Sequence, residues 1–283
     1  MMGRVFSRSA VTLCAALALA GSPSRAASLD PVDLELVIAT DVSPSIDASE
    51  ARLQREGIAE AFLDLRVVDA IRSGSLGKIA VAAIDFSSRE FNRVAADWHV
   101  IQDRESAAAF AGLMRRTPAR VGQKTSISDG IELAELMIET NSFLGSRKVI
   151  DVSGDGRNNW GRPVNIVRNE AVEKGITING LPILGSVAGL DAYFSNCVIG
   201  GPASFVVPAH GFSDFARAVR QKLIQEIAEN GLNPRRDLLI KVQAPSPLPR
   251  GGYARPLNDE GCENAFGGFP PFSGFDFPLP VPR

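Results

Sequence analysis

Between residues 33 and 229, short and almost wholly apolar runs alternate with segments whose apolar residues recur every three or four positions. A run that is apolar on both sides of the pleat must be covered on both faces, so the alternation predicts an α/β protein with a mostly parallel sheet between two layers of helices. "LELVIAT" (34–40) reads as the first strand, and 47–65 as the helix after it. There Asp47 stands at the N-cap position with Glu50 three residues on, and Leu53, Ile58, Phe62 and Leu65 make the apolar stripe. "KIAVAAIDF" (78–86) and "RVAADWHVI" (93–101) read as neighbouring strands, one of them antiparallel at the sheet edge, followed by a short helix over 104–115. A helix beginning close to Thr125 carries Ile131, Leu133, Ala134, Met137 and Ile138. "KVIDVSGDG" is a strand ending in a turn, "PVNIVRNEAVEKG" a helix stopped by Gly175, and "ITINGLPIL" the next strand. "ASFVVPA" (203–209) predicts a further strand, and 212–231 a terminal helix capped by Ser213 and ended by Gly231.

The first 26 residues read as a secretory signal peptide. Arg4 and Arg8 precede an apolar stretch from Val11 to Ala20, and small residues at Ser24 and Ala26 fit a cleavage site. That stretch is about half of the ~20 residues a membrane-spanning helix needs, so the expectation is an exported, non-spanning chain, periplasmic or extracellular. Loss of Arg4, Arg8 and Arg25 takes the formal charge from −2 to −5. A mildly acidic chain lacks the basic footprint of a nucleic-acid binder. Cys197 and Cys262 remain after processing; in an oxidising compartment they could pair or stay free, and neither has a neighbour at metal-ligand spacing. Residues 27–235 make one domain, and 236–283, rich in Pro, Gly and Phe without a sustained period, read as a mostly disordered tail.

In an open α/β sheet, ligands bind in the crevice at the carboxyl ends of the strands. Three polar clusters fall on loops that reach that edge: Asp41, Ser43 and Ser45 in "DVSPS", Thr125 in "GQKTSISDGI", and Asp155 in "SGDGRNN". Carboxylate and hydroxyl oxygens are hard ligands suited to Mg²⁺, which keeps open or water-filled positions in such sites. Each cluster also has an ordinary structural use. Ser43, Ser45 or Asp47 can cap the next helix, Thr125 the one after it, and Asp155-Gly156 is a common turn pair. Asp41 is harder to explain that way, because an ionised carboxylate at the end of a buried strand needs a partner.

"DVSPS" matches the Asp-x-Ser-x-Ser motif of von Willebrand factor type A domains, and Thr125 and Asp155 occupy the places of the threonine and aspartate from that family's second and third loops. The chain resembles the family over roughly residues 33–229, most of all a bacterial subfamily of unknown function, in "DVSGDGRNN", "GITINGLPI" and "VIGGPASFVV". The resemblance implies a Rossmann-like three-layer αβα sheet with a metal-ion-dependent adhesion site. Its cation, usually Mg²⁺ but also Mn²⁺ or Ca²⁺, would be held by Asp41, Ser43, Ser45, Thr125 and Asp155, and an Asp or Glu of a protein partner would complete its shell. One departure stands out. The third motif has Gly154 where many members carry threonine, leaving Ser153 as the nearest hydroxyl. Beside that motif, Trp160 is an expected partner contact, and Arg157 and Arg162 are expected to steer an acidic ligand.

Two other readings compete with a non-catalytic interaction domain. "GDGRNN" also resembles the metal loop of haloacid-dehalogenase-type phosphatases, but those need a second aspartate two residues after the nucleophile as general acid, and here that position is Ser43. The other is a structural domain with a degenerate metal site, whose tail carries the interaction. A hydrolase triad is not indicated: His99 and His210 are unaccompanied by a Gly-x-Ser-x-Gly elbow, and no Gly-x-Gly-x-x-Gly follows the first strand.

Overall fold

The computed structural model describes residues 29–118, 120–228 and 262; the expected signal peptide, the last turn of the expected terminal helix and all of the expected tail except Cys262 lie outside the described residues. The elements run β1 (Asp30–Val32), β2 (Leu34–Asp41), α1 (Ala48–Leu63), α2 (Leu65–Arg72), β3 (Ile79–Phe86), β4 (Arg93–Ile101), α3 (Arg104–Arg116), α4 (Ile127–Thr140), β5 (Phe143–Gly145), β6 (Lys148–Gly154), α5 (Val164–Glu173), β7 (Ile176–Pro182), α6 (Leu190–Tyr193) and α7 (Phe215–Ala228). The main sheet has the order β4-β3-β2-β6-β7. All its pairs are parallel except β3–β4, which makes β4 the antiparallel edge strand that the sequence predicts.

The sheet is buried on both sides, as its apolar runs require. Leu34, Leu36 and Ile38 of β2 pack on one side with Phe62 of α1, Phe110 of α3 and Phe215 of α7. Val37 and Ala39 point the other way, to Ile131 of α4, Val167 of α5 and Phe194. Full burial of such side chains is worth roughly 1.5–3 kcal/mol each. Phe62 and Phe110 meet edge to face at 4.9 Å. Helix α1 can approach α7 closely because residue 57 is glycine: a Cβ there would stand 2.8 Å from the Phe215 ring.

Four local details differ from expectation. The helix expected over 47–65 is α1, ending at Leu63, but an unexpected second helix, α2, follows at once, capped by the Asp64 carboxylate, which accepts the Arg66 N–H at 2.9 Å. Ser213 lies in a 3₁₀ turn (Phe212–Asp214) ahead of α7, not at its cap. The short parallel pair β1–β5 carries too little periodicity to be seen in sequence. Residues 203–209 run beside β7 but make only isolated bridges at Val206 and Ala209 instead of a strand. The reason lies on the neighbour: Gly180 and Leu184 donate to the carbonyls of Phe205 and Ala209 (3.0 and 2.8 Å), but Pro182 between them has no N–H to give.

Candidate metal centre

The strand ends bring "DVSPS" to the carboxyl edge with Asp41 as the last residue of β2. The capping alternative is answered by neighbouring residues. Asp47 caps α1, its carboxylate accepting the N–H groups of Ser49 (2.7 Å) and Glu50 (2.9 Å), while Glu50 accepts the Asp47 N–H at 2.9 Å in a complete capping box. Ser126, one residue after Thr125, caps α4 by accepting the Asp129 N–H at 3.2 Å. Ser43 and Ser45 are therefore spare, and they turn towards Asp155. The Ser45 hydroxyl donates to Asp155 Oδ1 at 2.8 Å, the Ser43 and Ser45 hydroxyls lie 3.0 Å apart, and the Ser43 N–H donates to Asp41 Oδ1 at 2.8 Å. Asp41, Ser43, Ser45 and Asp155 thus form one connected group. Thr125, buried, stands beside it: a Cβ on Gly156 would be 3.6 Å from its Oγ1.

One oxygen of each carboxylate is left over. Asp41 Oδ2 and Asp155 Oδ2 are both buried and accept no hydrogen bond from any described residue. Burial above all pushes the Asp41 carboxyl up to about 7; the Ser43 N–H opposes this, and the charge of Asp155 adds to it. Two buried carboxylate oxygens without partners, in a group linked through the Ser43 and Ser45 hydroxyls, fit a hard divalent cation. Among the described residues no group of three His, Cys, Asp or Glu could hold a metal, so any cation here depends on the hydroxyls.

The glycine at 154 follows from the same crowding. A Cβ at that position would stand 2.9 Å from Asp41 Oδ2, so a hydroxyl-bearing side chain there would have to displace the Asp41 carboxylate. Ser153 does not replace it, since it points to the α7 side of the sheet and donates to the Ala39 carbonyl at 3.3 Å. Asp151 also faces that side, in a buried ion pair with Lys222 of α7.

Sequence reasoning missed the residues that hold the loops. Asn159 and Thr125 bond reciprocally: the Thr125 N–H donates to Asn159 Oδ1 at 2.9 Å and the Asn159 N–H to the Thr125 carbonyl at 2.8 Å. Asn158, buried, accepts the Ser128 N–H at 3.1 Å and donates to the carbonyls of Trp160 and Arg162, both at 3.0 Å. The Asn-Asn doublet after "GDGR" was the available signal, as asparagine side chains pair with loop backbone. Gln54 of α1 donates to the Asp41 carbonyl at 3.3 Å, and Ser87 accepts the N–H groups of Gln123 and Lys124 at 3.0 and 3.1 Å.

Of the expected partner contacts, Trp160 is half-buried, with Lys124 Nζ 5.5 Å from its ring centre. Arg157 is exposed and lies 5.2 Å over the Tyr193 ring. Arg162 is held by Glu132 (3.1 Å) and Glu170 (2.8 Å), which ties the loop to α4 and α5 and neutralises its charge. Cys197, on the turn after α6, is joined to Cys262 in a disulfide with Cα atoms 5.4 Å apart.

Residues 31–231 match the model of a family described as DUF1194, proteins of unknown function. The chain belongs to that family. No curated protein matches it. Among solved structures it is similar to proximal thread matrix protein 1 from the mussel byssus (18% identity, 70% of this chain and 47% of that one, TM-score 0.52). A form of that protein described as having a zinc-occupied MIDAS motif matches at 15% identity (71% and 47%, TM-score 0.53). The pilus adhesin SpaC from Lactobacillus rhamnosus GG matches at 14% identity (71% and 31%, TM-score 0.52). The chain spans about half, or less, of the length of these proteins, and at such identity the likeness is one of fold. This DUF1194 member has the von Willebrand factor type A fold, with the sheet order and antiparallel edge described above.

Proposed function

We propose that this DUF1194 chain is an exported, non-catalytic interaction domain that grips an acidic side chain of a protein partner through a Mg²⁺-type cation. The observation that carries the reading is the pair of buried, unpartnered oxygens, Asp41 Oδ2 and Asp155 Oδ2. Asp41 and Asp155 would hold the cation with the hydroxyls of Ser43, Ser45 and Thr125, directly or through water. A cation bound there supplies an open coordination position for a carboxylate oxygen. The two aspartates offset its charge only in part as the hydroxyls are neutral, so a partner's Asp or Glu gains a charge-assisted contact.

Several features support the rest. A mussel matrix protein with a zinc-occupied MIDAS motif and a pilus adhesin share the fold. The Cys197–Cys262 disulfide suits an oxidising compartment, and no helix of the described residues is long and apolar enough to cross a membrane. Phosphatase chemistry lacks its acid: Ser43 stands where a second aspartate is required, and its hydroxyl lies against Ser45.

The test is binding of a short Gly-Ser peptide with a single glutamate. It should bind the processed chain in Mg²⁺, but neither in chelator nor to Asp41→Ala, and an aryl phosphate should not turn over. Metal-independent peptide binding, or phosphate turnover abolished by Asp41→Ala, contradicts the proposal. Deleting 236–283 also removes Cys262, so a tail-borne interaction is tested against Cys197→Ser/Cys262→Ser with the tail kept.

A further inference from the structure

Among the basic residues near the metal loops, those bound by carboxylates contrast with two that rest on aromatic rings. Arg89 bonds Asp129 (3.0 Å) and Glu132, Arg93 bonds Asp85, and Arg162 bonds Glu132 and Glu170; their charges are spent inside the fold. Lys124 and Arg157 differ. Lys124 immediately precedes Thr125, and Arg157 follows Asp155 by two residues, so they ride on the second and third metal loops. Both are exposed, and no carboxylate of the described residues pairs with either. Each instead rests on an aromatic ring, Lys124 on Trp160 at 5.5 Å and Arg157 on Tyr193 at 5.2 Å.

Such stacking restrains a long side chain without cancelling its charge, because a ring face offers a quadrupole and no counter-ion. The residues that carry the rings are themselves anchored, Trp160 by its backbone and Tyr193 by its hydroxyl. The Trp160 carbonyl accepts from Ser126 (3.1 Å) and Asn158 (3.0 Å), and the buried Tyr193 hydroxyl accepts the Asn158 N–H at 3.2 Å. Asn158 therefore braces both supports, and in a chain of net negative charge the candidate metal site is flanked by two held, uncompensated positive charges.

We propose that Lys124 and Arg157 select the partner: the site takes a protein segment carrying several carboxylates, one for the cation and others for these two side chains. This rests on the metal-site reading above and adds to it that a segment with several carboxylates binds more tightly than one with an isolated Asp or Glu.

Two synthetic Gly-Ser peptides of equal length, one with a single glutamate and one with three at alternate positions, distinguish the two claims. They are titrated into the processed chain at low ionic strength with excess Mg²⁺, with chelator, and into Lys124→Gln/Arg157→Gln, whose Mg²⁺ affinity is measured in parallel. The expected result is about tenfold tighter binding of the three-glutamate peptide, as two exposed ion pairs together supply. The preference falls below about twofold in the double variant, whose Mg²⁺ affinity is not weakened, since two charges that repel the cation have been removed. Equal binding of the two peptides in Mg²⁺, or a preference that survives the double substitution, overturns this inference alone, whereas peptide binding that persists in chelator also contradicts the metal-site reading. Failure of the chain to take Mg²⁺ at all overturns the metal-site reading and this inference with it.

Discussion

Two sets of buried carboxylates lie close together in this molecule and are treated in opposite ways. On the α1–α3–α7 side of the sheet, Asp85 is paired with Arg55 and Arg93, Asp151 with Lys222, and Glu226 with Arg147 and Asn179. At the carboxyl edge, Asp41 and Asp155 are as deeply buried, yet each keeps an oxygen that accepts no bond from the described residues. The other buried acids have a cation or, at Glu35 and Asp33, hydrogen-bond donors for both oxygens, whereas Asp41 and Asp155 each keep one oxygen for a charge from outside. Buried anions are tolerated only when compensated, so the contrast locates the missing counter-charge more sharply than the motif does.

The comparison breaks most visibly at Lys222. Removing it as Lys222→Ala leaves Asp151 buried and alone, and urea unfolding should show a loss of about 3–5 kcal/mol, whereas Asp151→Leu with Lys222→Met should be near neutral or stabilising. A loss below about 1 kcal/mol would mean that the pair does not compensate Asp151. At the metal edge the sign reverses. In chelator near pH 8, Asp41→Asn should raise stability by about 1–3 kcal/mol, since it removes a buried charge that has no counter-ion, and added Mg²⁺ should stabilise the native chain but not the variant.

The pH dependence sharpens the same point. Burial lifts the Asp41 carboxyl from 3.8 to about 7, so between those values the folded, metal-free chain holds a proton that the unfolded chain has released. Its contribution is fully present below pH 3.8 and is lost as pH rises through about 7. Thermal unfolding in chelator should therefore fall over that window by more in the native chain than in Asp41→Asn, and excess Mg²⁺ should remove the difference. Equal slopes would contradict the burial of Asp41. The smallest effects separate cap from ligand. Asp47→Ala should cost about 1 kcal/mol and leave Mg²⁺ affinity unchanged, while Ser45→Ala should weaken Mg²⁺ binding and alter stability by no more than about 0.5 kcal/mol.

The sheet was legible because its strands are buried on both faces, which writes an unbroken apolar run into β2, β3, β6 and β7. Asp41, Ser43 and Ser45 were legible because a carboxylate and two hydroxyls directly after such a run have few structural uses. What escaped depends on partners distant in sequence. Whether 203–209 pairs as a strand is decided by a proline on β7, and whether Arg162 is available to a ligand is decided by Glu132 on α4. Lys124 drew no notice because nothing local marks it; its place follows from Trp160 on another loop. The choice between capping and coordination likewise rested on single-residue offsets, Asp47 against Ser45 and Ser126 against Thr125, which hydrophobic periodicity does not resolve.

The most direct test is calorimetric titration of Mg²⁺ and Mn²⁺ into the chelator-treated, disulfide-intact chain, beside Asp41→Ala with its far-ultraviolet circular dichroism recorded. Saturable binding at a single site in the native chain, absent from an equally folded Asp41→Ala, is the predicted result. A folded native chain that takes up neither ion, or a variant that binds as tightly as the native chain, would contradict a cation shared by Asp41 and Asp155.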